Sequence, residues 1–118
     1  MANAALFIGW GQVARGRERQ ALQVFNELVQ YHAGLQQRGE IESFEPVALE
    51  PRGGDLQGFA LVRGDREKLN RLRHSEEFLR LVNRGIFCVD GIGVVGAYIG
   101  EGLQKLYAST ETDNAGLA

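Results

Sequence analysis

The first forty residues combine a short apolar run with a helical pattern of hydrophobic positions. The continuous apolar run Leu6–Trp10 predicts a strand that is buried on both faces, and therefore a central strand. From Arg17 to Arg38, apolar positions recur at steps of three and four, which places them on one stripe of a helix. The stripe consists of Ala21, Val24, Phe25, Leu28, His32 and Leu35. Gly39 follows where helices commonly end, because glycine accepts left-handed backbone.

The next part of the chain has the pattern of a hairpin. Residues 41–50 mix apolar and polar side chains and include Pro46. Proline cannot donate a hydrogen bond to a central ladder, so this strand is predicted at an edge of the sheet. The turn-forming sequence Pro51–Asp55 separates it from a third strand over residues 56–63.

A second helix is predicted to begin after Asp65, which is a favourable N-cap residue. Its apolar stripe is Leu69, Leu72, Leu79 and Val82. The sequence Ser75-Glu76-Glu77 is typical of a helix start, so we expect a bend or restart at His74–Ser75. Gly85 is predicted to end this helix.

The last strand is predicted within Asp90–Gly100, and residues 101–107 fit one further helical turn. Residues 108–118 have no pattern and are predicted to form a tail after a single domain over residues 1–107.

This order, βαββαβ, is that of the α+β ferredoxin-like fold, with an antiparallel four-stranded sheet and two helices on one face. The fold places its first and third strands in the centre and its second at an edge. Pro46 independently indicates the same edge position.

The helices of such a fold leave one face of the sheet open. Strand residues alternate between the faces, and small residues suit the helix side, namely Gly58, Ala60 and Val62. Phe59, Leu61 and Phe7 are then predicted on the open face. An exposed apolar patch usually marks an interaction surface. Three kinds of partner could bind this apolar patch: a second copy of the chain, a small apolar ligand between copies, or nucleic-acid bases that stack on the aromatic rings.

Of these three partners, RNA bases are the least favoured. Residues 6–9 and 57–62 resemble the two short motifs of RNA-recognition domains, and Gly58, Phe59, Ala60 and Val62 match the second motif. Gln57, Leu61 and Gly64 depart from it. The net charge of −2 also gives no general attraction to phosphates.

The stretch from Gly58 to Asp65, followed by Leu69, Leu72 and Ser75-Glu76-Glu77-Phe78, resembles the dimeric α+β barrel group. That group includes antibiotic-biosynthesis-type and haem-degrading monooxygenases, muconolactone-isomerase-like proteins and stress-responsive barrel proteins. The resemblance covers about residues 4–101. It implies a homodimer with a small-molecule pocket between sheet and helices. It also implies cofactor-independent monooxygenase or isomerase-like chemistry on a small aromatic or polyketide-like compound. A non-enzymatic binding or assembly module is the alternative.

Haem degradation is not supported by the sequence. The haem-degrading members place an Asn, a Trp and a His in the pocket. Here Trp10 lies on the first strand, while Asn26 and Asn70 lie on helices, so the trio cannot be placed.

His74 and Tyr98 are the candidate catalytic residues. His74 lies at the predicted helix break, where it would carry protons near neutral pH, or it is a surface histidine before a helix start. The hydroxyl of Tyr98 would contact a ligand, or its ring is simply buried. His32 is interpreted as a histidine at the edge of the core.

The candidate ligand-binding residues are two charged side chains and three apolar ones, namely Arg63, Glu45, Phe59, Leu61 and Phe7. Arg63 would bind a carboxylate of a ligand or of a partner copy, or it faces solvent at a strand end. Glu45 contributes only if the second strand turns it inward.

The amino-acid composition indicates which kinds of protein and site the chain lacks. Hydrophobic residues make up 44% and charged residues 24%, as in ordinary globular domains. The lone Cys88 cannot form an intrachain disulfide, and the two histidines lack metal-ligand spacing, so we expect no metal site. The resemblance implies that no cofactor is needed. Without a leader or membrane-spanning pattern, a cytoplasmic protein without membrane contact is expected.

Overall fold

The computed structural model describes residues 2–117 as four strands and four helices. Met1 and Ala118, the outermost residues of the predicted domain and tail, lie outside the described residues. The elements are β1 (Ala4–Trp10), α1 (Glu18–Gln37), β2 (Ser43–Ala48), β3 (Gly58–Gly64), α2 (Arg66–Arg73), α3 (Glu76–Cys88), β4 (Gly93–Tyr98) and α4 (Gly100–Asp113).

The strands form one antiparallel sheet in the order β2-β3-β1-β4. β1 lies in the centre between β3 and β4, as its continuous apolarity predicted. β2 lies at an edge with Pro46 exposed, which confirms the prediction from that proline. The predicted ferredoxin-like fold is therefore confirmed.

The core lies between the sheet and one layer of helices. From the sheet it receives the alternate residues Leu6 and Ile8 of β1 and Ala60 and Val62 of β3, all fully buried. From the helices it receives Leu35, Leu69, Leu72 and Phe78. The face of β3 that carries small side chains thus packs against the helices, as predicted. Phe7, Phe59 and Leu61 point to the other face of the sheet.

The predicted interruption after His74 is a complete restart. Asp65 caps α2, because its Oδ2 accepts the backbone N–H of Lys68 at 3.1 Å. Ser75 caps α3, because its Oγ accepts the N–H of Phe78 at 3.4 Å. Each side chain satisfies a donor that a helix start leaves unpaired, so α2 and α3 are separate helices.

The restart corrects two predictions for this region. α3 does not end at Gly85 but continues to Cys88. Gly85 instead lies within the helix and is buried. A Cβ there would lie 2.6 Å from Cδ1 of Ile92, so no larger residue fits without a shift. Leu79 does not belong to the buried stripe and is 45% exposed. The new cap at Ser75 resets the helical phase, so the buried positions are Phe78, Leu81, Gly85 and Cys88.

The C-terminal region differs from the predicted single turn and patternless tail. α4 extends through Asp113, well beyond Tyr107, and none of its described residues is buried. Its sequence lacks a strong apolar stripe because the helix packs little of its surface against the sheet. The division into a domain and a tail stays a prediction. Within residues 2–117, no helix is both long and apolar enough to cross a membrane.

Candidate functional site

An apolar pocket of about 370 Å³ opens between α1, α3 and the helix-facing side of the sheet. Its floor includes Ile8 and Trp10 of β1. One wall is the stripe of α1 predicted to face the sheet, and the other is the buried side of α3. The wall residues are Ala21, Leu22, Val24, Phe25 and Leu28 on α1, and Leu81, Val82, Gly85 and Cys88 on α3.

Trp10 owes its position on the pocket floor to Gly58, its neighbour on β3. The two residues are directly paired across the strands. A Cβ on Gly58 would lie 2.8 Å from indole atoms of Trp10, closer than real side chains approach. The ring of Phe25 meets the indole edge-on, with centroids 6.2 Å apart. The missing side chain at residue 58 therefore lets the indole lie against β3 and form a flat floor.

The segment between β1 and α1 is bound to the end of α3 beside the pocket. Ala14 donates its N–H to the carbonyl of Cys88 at 2.7 Å, and Asp90 donates to the carbonyl of Gln12 at 2.8 Å. Arg17 then donates from Nη1 to the carbonyl of Phe87 at 2.9 Å. Its guanidinium also lies 3.4 Å from the ring centroid of Phe87, a cation–π contact. These contacts join the start of α1 to the end of α3.

An ion pair links the two helices further along. Nε of Arg84 donates to Oε1 of Glu27 at 2.8 Å, and Nη2 donates to Oε2 at 2.9 Å, a bidentate arrangement. The hydrogen bonds from Arg84 lower the pKa of Glu27 below its ordinary value. Both side chains are 35% exposed, so solvent weakens this link between α1 and α3.

Polar chemistry is scarce in this pocket. Glu18, the first residue of α1, is the one charged residue among the described lining residues. Its Oε2 accepts the backbone N–H of Gly16 at 3.0 Å, and the side chain is exposed at the mouth. Cys88 contributes a buried thiol. The described lining therefore suits the binding of an apolar molecule and holds no paired nucleophile and base. Residues 2–117 also contain no group of three metal-ligating side chains.

The five predicted ligand-binding residues come together on the opposite, open face of the sheet. The rings of Phe7 and Phe59 are stacked, with centroids 5.3 Å apart. Leu61 pairs with Phe7 across the strands. At one margin of this apolar surface, Nη1 of Arg63 donates to Oε1 of Glu45 at 2.8 Å. The edge strand thus turns Glu45 toward the open face, where it binds Arg63 rather than a residue of the pocket.

The two predicted catalytic residues lie apart from both surfaces. His74 is exposed at the end of α2, with Nδ1 2.8 Å from the carbonyl oxygen of Asn70. Tyr98 is 50% exposed at the end of β4. The guanidinium of Arg66 lies 5.1 Å from its ring centroid. Neither side chain lines the apolar pocket.

His32, interpreted from the sequence as a histidine at the edge of the core, is instead fully buried within it. Its ring stacks on Phe44, with centroids 4.4 Å apart, and meets Phe78 edge-on. Desolvation lowers the pKa of the imidazole.

The resemblance implied a pocket between sheet and helices, but sequence reasoning did not identify the residues that line it. The side chains of its α1 wall were predicted only as core. The available signal was the number of small residues on surfaces that should pack, namely Ala21, Ala48, Gly58 and Gly85.

Comparison with known proteins gives a likeness in structure alone. No family model matches the sequence, and no curated protein matches it significantly. A hydroxynitrile lyase from Passiflora edulis superposes with a TM-score of 0.62 at 14% identity, covering 86% of this chain and 97% of that one. A dimeric protein of unknown function and ferredoxin-like fold from Bacteroides fragilis gives 0.58 at 11% identity, covering 81% and 96%.

SnoaB, a cofactor-independent oxygenase from Streptomyces nogalater, superposes with a TM-score of 0.54 at 15% identity, covering 84% of this chain and 95% of that one. Identities this low show the fold and no more. The part of the resemblance that is confirmed is the shared ferredoxin-like fold.

Proposed function

We propose that this protein is a homodimer that binds a small apolar compound in the pocket between α1, α3 and the sheet. The observation that carries the proposal is a cavity of about 370 Å³ whose described lining is apolar except at Glu18. Ligand sites are commonly concave, largely preformed and apolar, with volumes of roughly 300–1,000 Å³. A volume near the lower limit favours a small compound, such as one or two fused rings.

Burial of apolar surface supplies the driving force for such a ligand. Each Å² of apolar surface removed from water contributes roughly 25 cal/mol, before the costs of association. The indole of Trp10 and the ring of Phe25 offer a flat face and an edge to an aromatic compound. Glu18 lines the pocket and is exposed at the start of α1, so a ligand would enter past it.

The homodimer in this proposal is formed by the open faces of two sheets. Phe7, Phe59 and Leu61 leave a contiguous apolar surface there, which a second copy would cover. Val95 of β4, 55% exposed, extends it. The structurally similar protein from Bacteroides fragilis is dimeric, which supports this arrangement. Arg63 and Glu45 would then lie at the margin of the interface, bound to each other or exchanged between copies.

Turnover without a cofactor is a second candidate, supported by the likeness to SnoaB and by the carboxylate at the mouth. Glu18 is the residue positioned to accept a proton from a bound compound. The catalytic roles of His74 and Tyr98 stay predictions, as does the cytoplasmic location. A non-enzymatic assembly module would need no cavity, and this pocket favours binding over that alternative.

An uncharged fluorescent naphthylamine dye tests the pocket. The wild-type protein is expected to bind it, with increased emission and about one site per chain. Ala21→Phe fills the α1 wall and should abolish binding. Ala33→Phe is the matched control, because Ala33 is exposed on the same helix, and it should bind like the wild type. Equal binding by both variants, or none by the wild type, would contradict the proposal.

A further inference from the structure

We infer that Glu18 selects among apolar ligands, so that the pocket takes a neutral compound bearing a hydrogen-bond donor in preference to a carboxylic acid. The inference rests on the proposed function and names the ligand class of the same site. Its basis is that the one fixed charge in the described lining is negative. A ligand whose apolar body fills the cavity must place its polar group at this mouth.

Glu18 shares a face of α1 with the pocket wall. Residues three and four positions apart lie next to each other on a helix, so Glu18 stands beside Ala21 and Leu22, one turn closer to the helix start. Its Oε2 is occupied by the N–H of Gly16, which fixes the direction of the carboxylate. Oε1 has no hydrogen-bond partner among the described residues, so it is free to accept a hydrogen bond from a donor group of a ligand.

The nearby cations lie outside the described lining. Arg17 is held by the carbonyl and ring of Phe87. Arg15 and Arg19 are exposed and lie outside the lining. On a helix, adjacent residues point in different directions, so Arg19 does not share the face of Glu18. A ligand carboxylate at the mouth would therefore meet a carboxylate first.

The size of the effect follows from the exposure of the site. A hydrogen bond to a charged group contributes more than a neutral one, but water competes for Glu18 at the mouth. We expect a donor-bearing ligand to bind about five- to ten-fold more tightly than the same ligand with its donor blocked. The corresponding carboxylic acid should bind more weakly than either, because its charge is repelled and loses water.

Three probes of nearly equal shape test the inference: a naphthol, its methyl ether and the corresponding naphthoate. Trp10 is the sole tryptophan and lies on the pocket floor, so its indole N–H gives one NMR signal that reports occupancy of this site. Each probe is titrated against the wild type, Glu18→Ala and Glu76→Ala. Glu76 is also an exposed glutamate in the first turn of a helix, but lies outside the lining, so Glu76→Ala is the matched control.

The expected order of affinity for the wild type and for Glu76→Ala is naphthol, then methyl ether, then naphthoate. In Glu18→Ala the naphthol should lose its advantage and the naphthoate should gain affinity. Equal affinities in the wild type, or an order unchanged by Glu18→Ala, would overturn the inference while leaving the proposed pocket intact. If no probe shifts the indole signal, the proposed function fails, and this inference fails with it.

Discussion

The imidazole of His32 lies nearly parallel to the ring of Phe44, with planes 18° apart and centroids separated by 4.4 Å. Nδ1 of His32 lies 2.8 Å from the carbonyl oxygen of Leu28. Because a carbonyl only accepts, Nδ1 carries the hydrogen, and a neutral Nε2 is left as an acceptor. Nε2 is buried and has no partner within the described part of the chain. This arrangement is stable only while the ring is uncharged.

The first prediction is that stability falls in mild acid because of His32. Burial lowers the pKa of the folded imidazole below its ordinary value of 6.5. Below that value the unfolded chain binds a proton that the folded chain does not, so the free energy of unfolding decreases as the pH falls. The stabilisation that comes from burying a neutral His32 is fully present above about pH 6.5 and is lost as the pH falls below that value. His32→Phe keeps the aromatic stack and should flatten this dependence, measured by urea unfolding between about pH 8 and about pH 5.

His74→Gln is the control for this prediction, since His74 is the other histidine and is exposed. It should retain the wild-type decrease in stability. A decrease of the same size in His32→Phe would show that other groups cause it.

A second prediction concerns the pocket floor. Gly58→Ala places a methyl group 2.8 Å from the indole of Trp10, so the ring must move off β3. Overpacking of this kind costs roughly 1–3 kcal/mol. We expect a lower midpoint of thermal unfolding, a shifted Trp10 emission and weaker dye binding.

Gly53→Ala is the matched control for the floor, because a Cβ at Gly53 has no atom within 4 Å. It should change neither emission nor binding. Unchanged emission in Gly58→Ala would show that the indole does not depend on the glycine.

The fold was predictable because its signals are local. Pro46 alone indicated an edge strand, and the three- and four-residue spacing of α1 needed no tertiary information. The errors arose where packing overrides local preference. Glycine is typical of a helix end, yet Gly85 lies inside α3, where Ile92 leaves no room for a side chain. The resemblance implied a pocket between sheet and helices, but its lining residues could not be predicted from the pattern, since the same apolar stripe fits a filled core and a cavity. The distance between α1 and α3 decides between them.

A third prediction concerns the ion pair that joins those two helices. Glu27→Gln and Arg84→Gln should each destabilise the protein only slightly, because both side chains are 35% exposed. A double-mutant cycle should give a coupling of about 0.2–1 kcal/mol, smaller in high salt. Since Arg84 lowers the pKa of Glu27 from 4.5, this coupling is present above that pH and is lost as the pH falls further. A coupling that persists in strong acid would contradict this assignment.

The last prediction concerns the open face. Light scattering on the wild type should give twice the chain mass of 13.0 kDa. Phe59 is stacked on Phe7 at the centre of the proposed interface, so Phe59→Glu would bury a carboxylate against apolar side chains of both copies. We expect a folded monomer by scattering and circular dichroism. Ile86→Glu is the matched control, because Ile86 is 58% exposed on α3, on the helix side of the sheet, and it should remain dimeric. A folded Phe59→Glu dimer would place the interface elsewhere. A monomeric wild type would leave the stacked rings of Phe7 and Phe59 exposed and would favour the hypothesis that they bind nucleic-acid bases.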